Sequence, residues 1–245
     1  MSGHSKWATI KHKKAATDAK RGNLFTKLIK EISVAARGGG NPDINPRLRV
    51  AIERAKESSM PSDNIERAIK KGTGQLEGIT YEDIALEGYG PGGVAIYVEG
   101  VSDNKNRTTA EVRTIFTKKG GNMAGAGSVA WMFEKKGYIV ISKKTIDEDK
   151  LMSIALDAGA EDFIVEDENY AIKTTVQDFF KVKKALDDNK IKTEDAEITL
   201  LPKSTVKVVG DDAKKVLDLV EGLEDHEDVQ NVYANFDIPD ELLKE

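Results

Sequence analysis

The chain is predicted to be an α+β multidomain protein, with an amino-terminal helical domain plus two α/β domains of ferredoxin-like character, one inserted into the other. Three observations predict this. Residues 20–71 repeat apolar side chains at helical spacing between clear breaks, and from Tyr81 onward β-branched runs alternate with helical ones. Residues 138–201 then complete one strand-helix-strand-strand-helix-strand cycle, with an incomplete cycle on either side. The resulting boundaries are 1–75 for the helical domain and its basic extension, 76–134 plus 204–245 for a discontinuous α/β domain, and 135–203 for the inserted one.

In the first helix Phe25, Leu28, Ile29, Ile32 and Ala36 form the apolar stripe, with Lys27, Lys30 and Glu31 on the opposite side. Gly38-Gly39-Gly40-Asn41-Pro42 ends it. Asn45 caps a second helix and Pro46 takes its first position, where a missing N–H costs nothing. Leu48, Ala51, Ile52 and Ala55 form that helix's stripe. After the break at Met60-Pro61, Asp63 and Glu66 make a capping box for a third helix through Lys71, and Gly72-Thr73-Gly74 reads as a hinge. A strand over 93–99, a helix over 107–119 and a strand over 128–133 follow. The inserted cycle runs as strand 138–142, helix 151–158, strands 162–166 and 170–175, helix 178–187 and strand 196–201. A strand over 205–209, a helix over 211–223 and a strand over 229–236 close the chain. Neither half cycle covers a four-stranded sheet alone, so the two are expected to pair; a single larger mixed sheet is the alternative.

Charge separates along this order. The first thirty-seven residues carry nine Lys or Arg against Asp18 and Glu31, a net +7 on a chain whose total is −5. Through Gln75 the balance is +9, which leaves −14 for the remainder. Such a split points to a polyanion-binding end on an acidic scaffold. Trp7 sits inside the basic run with His4 and His12 beside it, so a ring lies ready for an exposed base where cations would meet phosphates. A solvated basic tail is the plainer alternative. The absence of cysteine excludes disulfides, thiol nucleophiles and Cys-based metal sites. No apolar stretch reaches the ~20 residues needed to cross a membrane, and the basic terminus lacks an apolar segment behind it, so the cytoplasm is the expected location.

Other patterns are weaker. Gly88-Tyr89-Gly90-Pro91-Gly92-Gly93 matches a dinucleotide fingerprint on paper, but Pro91 interrupts it and a strand follows, so it reads as a turn. The glycine loop from Gly120 to Ser128, preceded by Lys118 and Lys119, fits close approach to a phosphate backbone, with flexibility or tight packing as the plainer alternative. Asp103-Asn104-Lys105-Asn106-Arg107 opens a helix with cap residues and two cations. Glu224-Asp225-His226-Glu227-Asp228 reads as a solvated acidic turn, with weak divalent-ion attraction as its alternative. No catalytic triad, carboxylate pair, P-loop or metal-ligand spacing stands out, so no catalytic residue, metal or cofactor is expected.

Several strings carry a resemblance. Met1-Ser2-Gly3-His4-Ser5-Lys6-Trp7, Lys13-Lys14-Ala15-Ala16-Thr17-Asp18-Ala19-Lys20-Arg21-Gly22 and Pro46-Arg47-Leu48-Arg49 resemble the YebC family. So do Met60-Pro61-Ser62-Asp63-Asn64-Ile65-Glu66-Arg67, Glu87-Gly88-Tyr89-Gly90-Pro91-Gly92-Gly93 and Asp103-Asn104-Lys105-Asn106-Arg107-Thr108. The resemblance runs the whole length; Ala124 departs from it at a position usually glycine. It implies one helical and two α/β domains and a cytoplasmic DNA-binding transcriptional regulator. It also implies kinship with a mitochondrial activator of cytochrome oxidase translation, and, for members of the family, action on the ribosome against stalling at proline runs.

Residues and resemblance together predict a non-enzymatic, nucleic-acid-binding regulator of gene expression, with a nucleotide-using enzyme as the remote alternative. The expected nucleic-acid-binding residues are Lys6, Trp7, Lys11, Lys13, Lys14, Lys20, Arg21, Lys27, Arg47, Lys105 and Arg107. The expected partner is DNA or ribosomal RNA, met as a monomer beside the transcription machinery or the ribosome. DNA comes first as the label, although no zipper or defined recognition helix is apparent.

Overall fold

The computed structural model describes residues 18–76, 80–166 and 168–239, with side chains of the first helix from Gly22 onward. It divides into two compact units, residues 132–203 and the remainder on either side of them.

The larger unit begins with α1 (Asp18–Ala36), α2 (Pro46–Glu57) and α3 (Ser62–Gly72) around a core of Leu28, Ile32, Leu48, Ala51, Ala55, Ile65 and Ala68. Ile32 is fully buried, which stabilises by ~1.5–3 kcal/mol relative to exposure. Asn45 caps α2 as expected, its Oδ1 accepting from the Leu48 N–H at 3.1 Å. The capping box expected for α3 is absent: the helix already begins at Ser62 behind Pro61, so Asp63 lies in its first turn, where its charge meets the positive end of the helix. Gly72 lets α3 press on α1, because a Cβ there would stand 2.2 Å from the Ser33 carbonyl oxygen.

Next come β1 (Glu82–Tyr89), β2 (Ala95–Ser102), α4 (Lys105–Lys118) and β3 (Asn122–Ala124). The sequence reading missed β1, whose Glu82, Asp83, Glu87 and Gly88 are poor strand formers; eight-residue antiparallel pairing with β2 overrides that preference. Gly92 and Gly93, at φ 70° and 77°, make the turn between them. After the other unit the chain returns through β8 (Val206–Lys207), α7 (Gly210–Glu224), β9 (Val229–Ala234) and β10 (Phe236–Asp237). The antiparallel sheet has the order β3-β1-β2-β9, so the two half cycles do share a sheet. α4 and α7 cover one face through Val112, Phe116, Val216, Leu219 and Leu223 against Ile96, Val98 and Val232. The strand expected over 205–209 stays outside this sheet and pairs in parallel with β10 instead. The strand expected over 128–133 is a loop and a 3-10 turn over Ala130–Met132, for a reason given below.

The second unit is β4 (Phe133–Ser142), α5 (Glu148–Asp157), β5 (Asp162–Val165), β6 (Asn169–Thr174), α6 (Phe179–Asp188) and β7 (Asp195–Pro202). Its antiparallel order β5-β6-β4-β7 with both helices on one face is ferredoxin-like. Among the described residues no helix is long and apolar enough to cross a membrane.

Candidate nucleic-acid interface

Helix α1 has two working faces. One is the apolar stripe described above. The other carries Asn23, Lys27 and Lys30, spaced i, i+4, i+7, and meets the end of α7 and the turn before β9. Asn23 Nδ2 donates to the Asp225 carbonyl at 2.9 Å, and Lys27 Nζ to the Glu224 carbonyl at 2.5 Å. Both carbonyls belong to the negative end of α7, where cations and donors are favoured. Lys30, expected on the solvent side of α1, is only 5% exposed; its Nζ lies 2.5 Å from Asp228 Oδ1.

Asp228 is the hub of this contact. It is fully buried, and its second oxygen accepts from Thr108 Oγ1 at 2.5 Å and Arg107 Nη2 at 3.0 Å. Burial opposes its ionisation, but the hydrogen bonds from Lys30, Thr108 and Arg107 outweigh burial and bring its pKa down to about 2. Arg107 also donates to Asp103 at 2.7 Å, and these carboxylates raise its pKa further. The acidic run expected to be a solvated turn thus keeps Asp225 and Glu227 exposed while Asp228 turns inward.

Glu111, His226 and Asp228 bring ligand atoms within 4.8 Å of one another, the one such group among the described residues. Those atoms are already engaged: the Asp228 N–H donates to His226 Nδ1 at 3.1 Å, and Nε2 faces Glu111 at 3.0 Å. Lys30 and Arg107 add positive charge beside them, so the group is an internal hydrogen-bond chain.

The expected cations fall into distinct classes. Lys6, Trp7, Lys11, Lys13 and Lys14 lie outside the described residues, and Lys20 and Arg21 are described only as backbone in the first turn of α1. Arg47 grips Asp83 of β1 with two bonds at 2.7 and 2.9 Å, and Lys105 lies 2.9 Å from Glu82; all four side chains are about half exposed. Exposed pairs of this kind are worth ~0–1 kcal/mol, so either cation can exchange its carboxylate for a phosphate at little cost. Arg107, tied to the buried Asp228, cannot do so cheaply. Among the described residues Arg49, Lys56, Arg67, Lys70 and Lys71 are exposed on α2 and α3 and meet no carboxylate within 4.0 Å. These five were not in the expected set, because sequence alone does not reveal which cations fold leaves unpaired.

The glycine loop is pinned from within at Gly127–Ala130, and the cause is Glu87. This carboxylate on β1 is 6% exposed and accepts the N–H groups of Gly127 and Val129 at 2.6 Å and of Ala130 at 2.9 Å. Burial raises its pKa, but these backbone donors more than offset that and leave it below the usual carboxylate range. The amides that were to cradle a phosphate already hold an internal anion, and the same bonds draw the chain at 128–132 away from strand pairing. Glu87→Gln, which turns a donor toward those amides, is expected to cost ~1–3 kcal/mol in urea unfolding. Because the folded pKa is depressed, Glu87 stabilises the fold above its unfolded pKa of ~4.3 and loses that contribution as pH falls. The variant should therefore lose less stability than the parent between neutral and acidic pH; equal losses would show that the loop is held by other contacts.

Comparison with known proteins agrees with this architecture. Residues 5–75 match a model described as the TACO1/YebC protein N-terminal domain, and residues 81–236 match one described as the TACO1/YebC second and third domain. A "Probable transcriptional regulatory protein" of Dictyoglomus turgidum is 59% identical over 246 residues, covering 100% of this chain and 99% of that protein. One from Geobacter sulfurreducens is 58% identical over 245 residues, with 100% and 99% covered. A crystal structure of a conserved hypothetical protein from Aquifex aeolicus superposes with a TM-score of 0.80 at 50% identity, covering 92% of this chain and 93% of that one.

Proposed function

This chain belongs to the TACO1/YebC family, and on that premise we propose that it is a nucleic-acid-binding regulator of gene expression, acting without catalysis as a cytoplasmic monomer. The observation that carries the reading is the charge separation, +9 through Gln75 against −14 beyond it. The outer faces of α2 and α3 support it by keeping Arg49, Lys56, Arg67, Lys70 and Lys71 free of partners among the described residues. Lys6, Lys11, Lys13, Lys14, Lys20 and Arg21 supply the first phosphate contacts. Arg47 and Lys105 are exchangeable reserves, while Lys27 and Arg107 shape the surface rather than touching the ligand. The names of the relatives favour transcription, and DNA is the partner that reading calls for. Trp7 within the basic run favours a second reading, ribosomal RNA, because an aromatic ring stacks on unpaired bases that a duplex does not offer.

Crosslinking in cells followed by sequencing of both recovered DNA and RNA separates the two readings, and recovery of neither would remove both. In vitro, changing Lys11, Lys13 and Lys14 to Gln should make the slope of log affinity against log salt shallower by roughly 0.7–0.9 per lost contact. Affinity should fall about equally for unrelated sequences, because phosphate contacts position without reading bases. A loss confined to one sequence would instead identify a base-reading transcription factor.

A further inference from the structure

The chain beyond Gln75 is acidic as a whole, but one helix in it is not. Residues 105–119, which form α4 and its cap, hold Lys105, Arg107, Arg113, Lys118 and Lys119 against the single acid Glu111. That is a net +4, which leaves −18 for the rest of the chain beyond Gln75. The helix buries Thr108, Val112 and Phe116, so at ~100° per residue Arg113 and Lys118 stand on the two flanks of its outer face. Both are exposed and meet no carboxylate within 4.0 Å among the described residues. Lys119 approaches Asp218 no closer than 3.9 Å, and Lys105 pairs with the half-exposed Glu82. Glu111 is already engaged, one oxygen facing His226 Nε2 at 3.0 Å and Arg107 Nε at 3.9 Å. The outer face of α4 therefore keeps positive charge that the fold does not neutralise.

We propose that this face of α4 is a second contact surface for the phosphate backbone of nucleic acid, centred on Arg113 and Lys118. The inference rests on the nucleic-acid-binding reading and extends it from the helical part of the chain to the α/β part. Attraction to the negative end of the helix accounts for Lys118 and Lys119 in the last turn, but not for Arg113, which lies more than a turn earlier. From Lys105 to Lys118 the helix runs ~20 Å, a length along which one strand of a duplex presents about six phosphates. None of the large apolar side chains exposed among the described residues lies on α4, so the face lacks the anchor that a protein partner would bury. Its one aromatic ring, Phe116, is fully buried, so nothing on the helix can stack on a base. The Thr114 and Thr117 hydroxyls donate to carbonyls of the same helix, at 2.9 and 3.0 Å, which leaves the cations to meet a ligand. Such contacts hold the backbone and position the ligand without reading its sequence.

Anisotropy of the full chain with a labelled DNA duplex, an RNA duplex and an RNA single strand of equal length, each across a salt series, tests this. On the probe that the parent binds most tightly, Arg113→Gln with Lys118→Gln should weaken binding about 5- to 10-fold at physiological salt. The slope of log affinity against log salt should become shallower by roughly 1.4–1.8, the value for two lost contacts. Arg113→Lys should keep most of the affinity. Thr114→Glu, which places an acid between the two cations and removes neither, should weaken binding as well. Lys181→Gln with Lys190→Gln removes the same two charges from exposed positions in residues 132–203 and should change little. An unchanged slope and affinity for the Arg113 and Lys118 variant, with the loss for the Lys11, Lys13 and Lys14 variant intact, overturns the proposal and keeps the nucleic-acid reading. Equal losses from the Lys181 and Lys190 variant overturn it too, since net charge alone would then be the cause. Binding of none of the three probes by the parent overturns both readings. Thermal unfolding of each variant, matched to the parent, excludes a loss through misfolding.

Discussion

Deletion of residues 1–22 is expected to weaken nucleic-acid binding by about 10²- to 10³-fold at physiological salt, the largest effect any change to this chain should have on that activity. The segment holds Lys6, Lys11, Lys13, Lys14, Lys20 and Arg21, six of the sixteen bases through Gln75. If each neutralises one phosphate, the salt slope should fall by roughly 4–5 units, at 0.7–0.9 per contact. The cost to the fold should be small. The core of the helical part begins at Phe25 and Leu28, and the contact of α1 with the turn before β9 begins at Asn23. Anisotropy with a labelled oligonucleotide across a salt series, beside a thermal melt, checks both halves. Unchanged affinity would reduce the segment to a solvated arm and move the interface to α2 and α3. Lost folding would mean that the segment packs as well as binds.

The largest effect on stability belongs to Asp228→Ala, expected to cost ~3–5 kcal/mol in chemical denaturation. Removing this carboxylate leaves the Lys30 ammonium buried, Arg107 short of its inner partner and Thr108 without its shortest acceptor. Asp228→Asn should fall between parent and Ala, since the amide keeps one acceptor but turns its N–H groups toward donors. The acid side gives an independent check. With a folded pKa of about 2 against ~3.9 unfolded, Asp228 stabilises the fold fully above about pH 4. That contribution, ~2–3 kcal/mol, fades as pH falls toward 2, so the parent's stability should drop across this window more steeply than the Asn variant's. A variant as stable as the parent would mean that the two charges are not desolvated at all. The double change Lys30→Met with Asp228→Ala should cost less than the sum of the single ones, because it removes the uncompensated ammonium together with its partner.

The contrast between Lys27 and Lys30 shows where reading the sequence succeeds and where it stops. Helical periodicity assigned both to the side of α1 opposite the apolar stripe, and that is where they lie. Their fates differ because Lys27 reaches the end of α7 at the edge of the contact, whereas Lys30 points into it and meets Asp228, 198 residues away in the chain. Nothing local distinguishes the two. Glu87 poses the same problem from the other side: in a segment rich in acid and glycine it looks solvated, yet β1 is paired on both edges and a turn of backbone amides closes over it. Arg107 was expected to face a phosphate because cations at a helix start attract anions. It does face an anion, but one that the fold supplies.

What the sequence determined by itself is whatever depends on neighbours a few residues apart. That includes the three helices and the Asn45 cap, the ferredoxin-like cycle, the turn at Gly92-Gly93, and the gradient from a basic start to an acidic remainder. Tertiary structure decided which charges are spent and which remain. Ion pairing requires two groups within about 4 Å, and burial multiplies its strength, so the roles of Lys30, Glu87, Arg107 and Asp228 follow from contacts that no local pattern encodes. For the same reason the unpaired cations of α2 and α3 became visible only once the chain had closed around everything else.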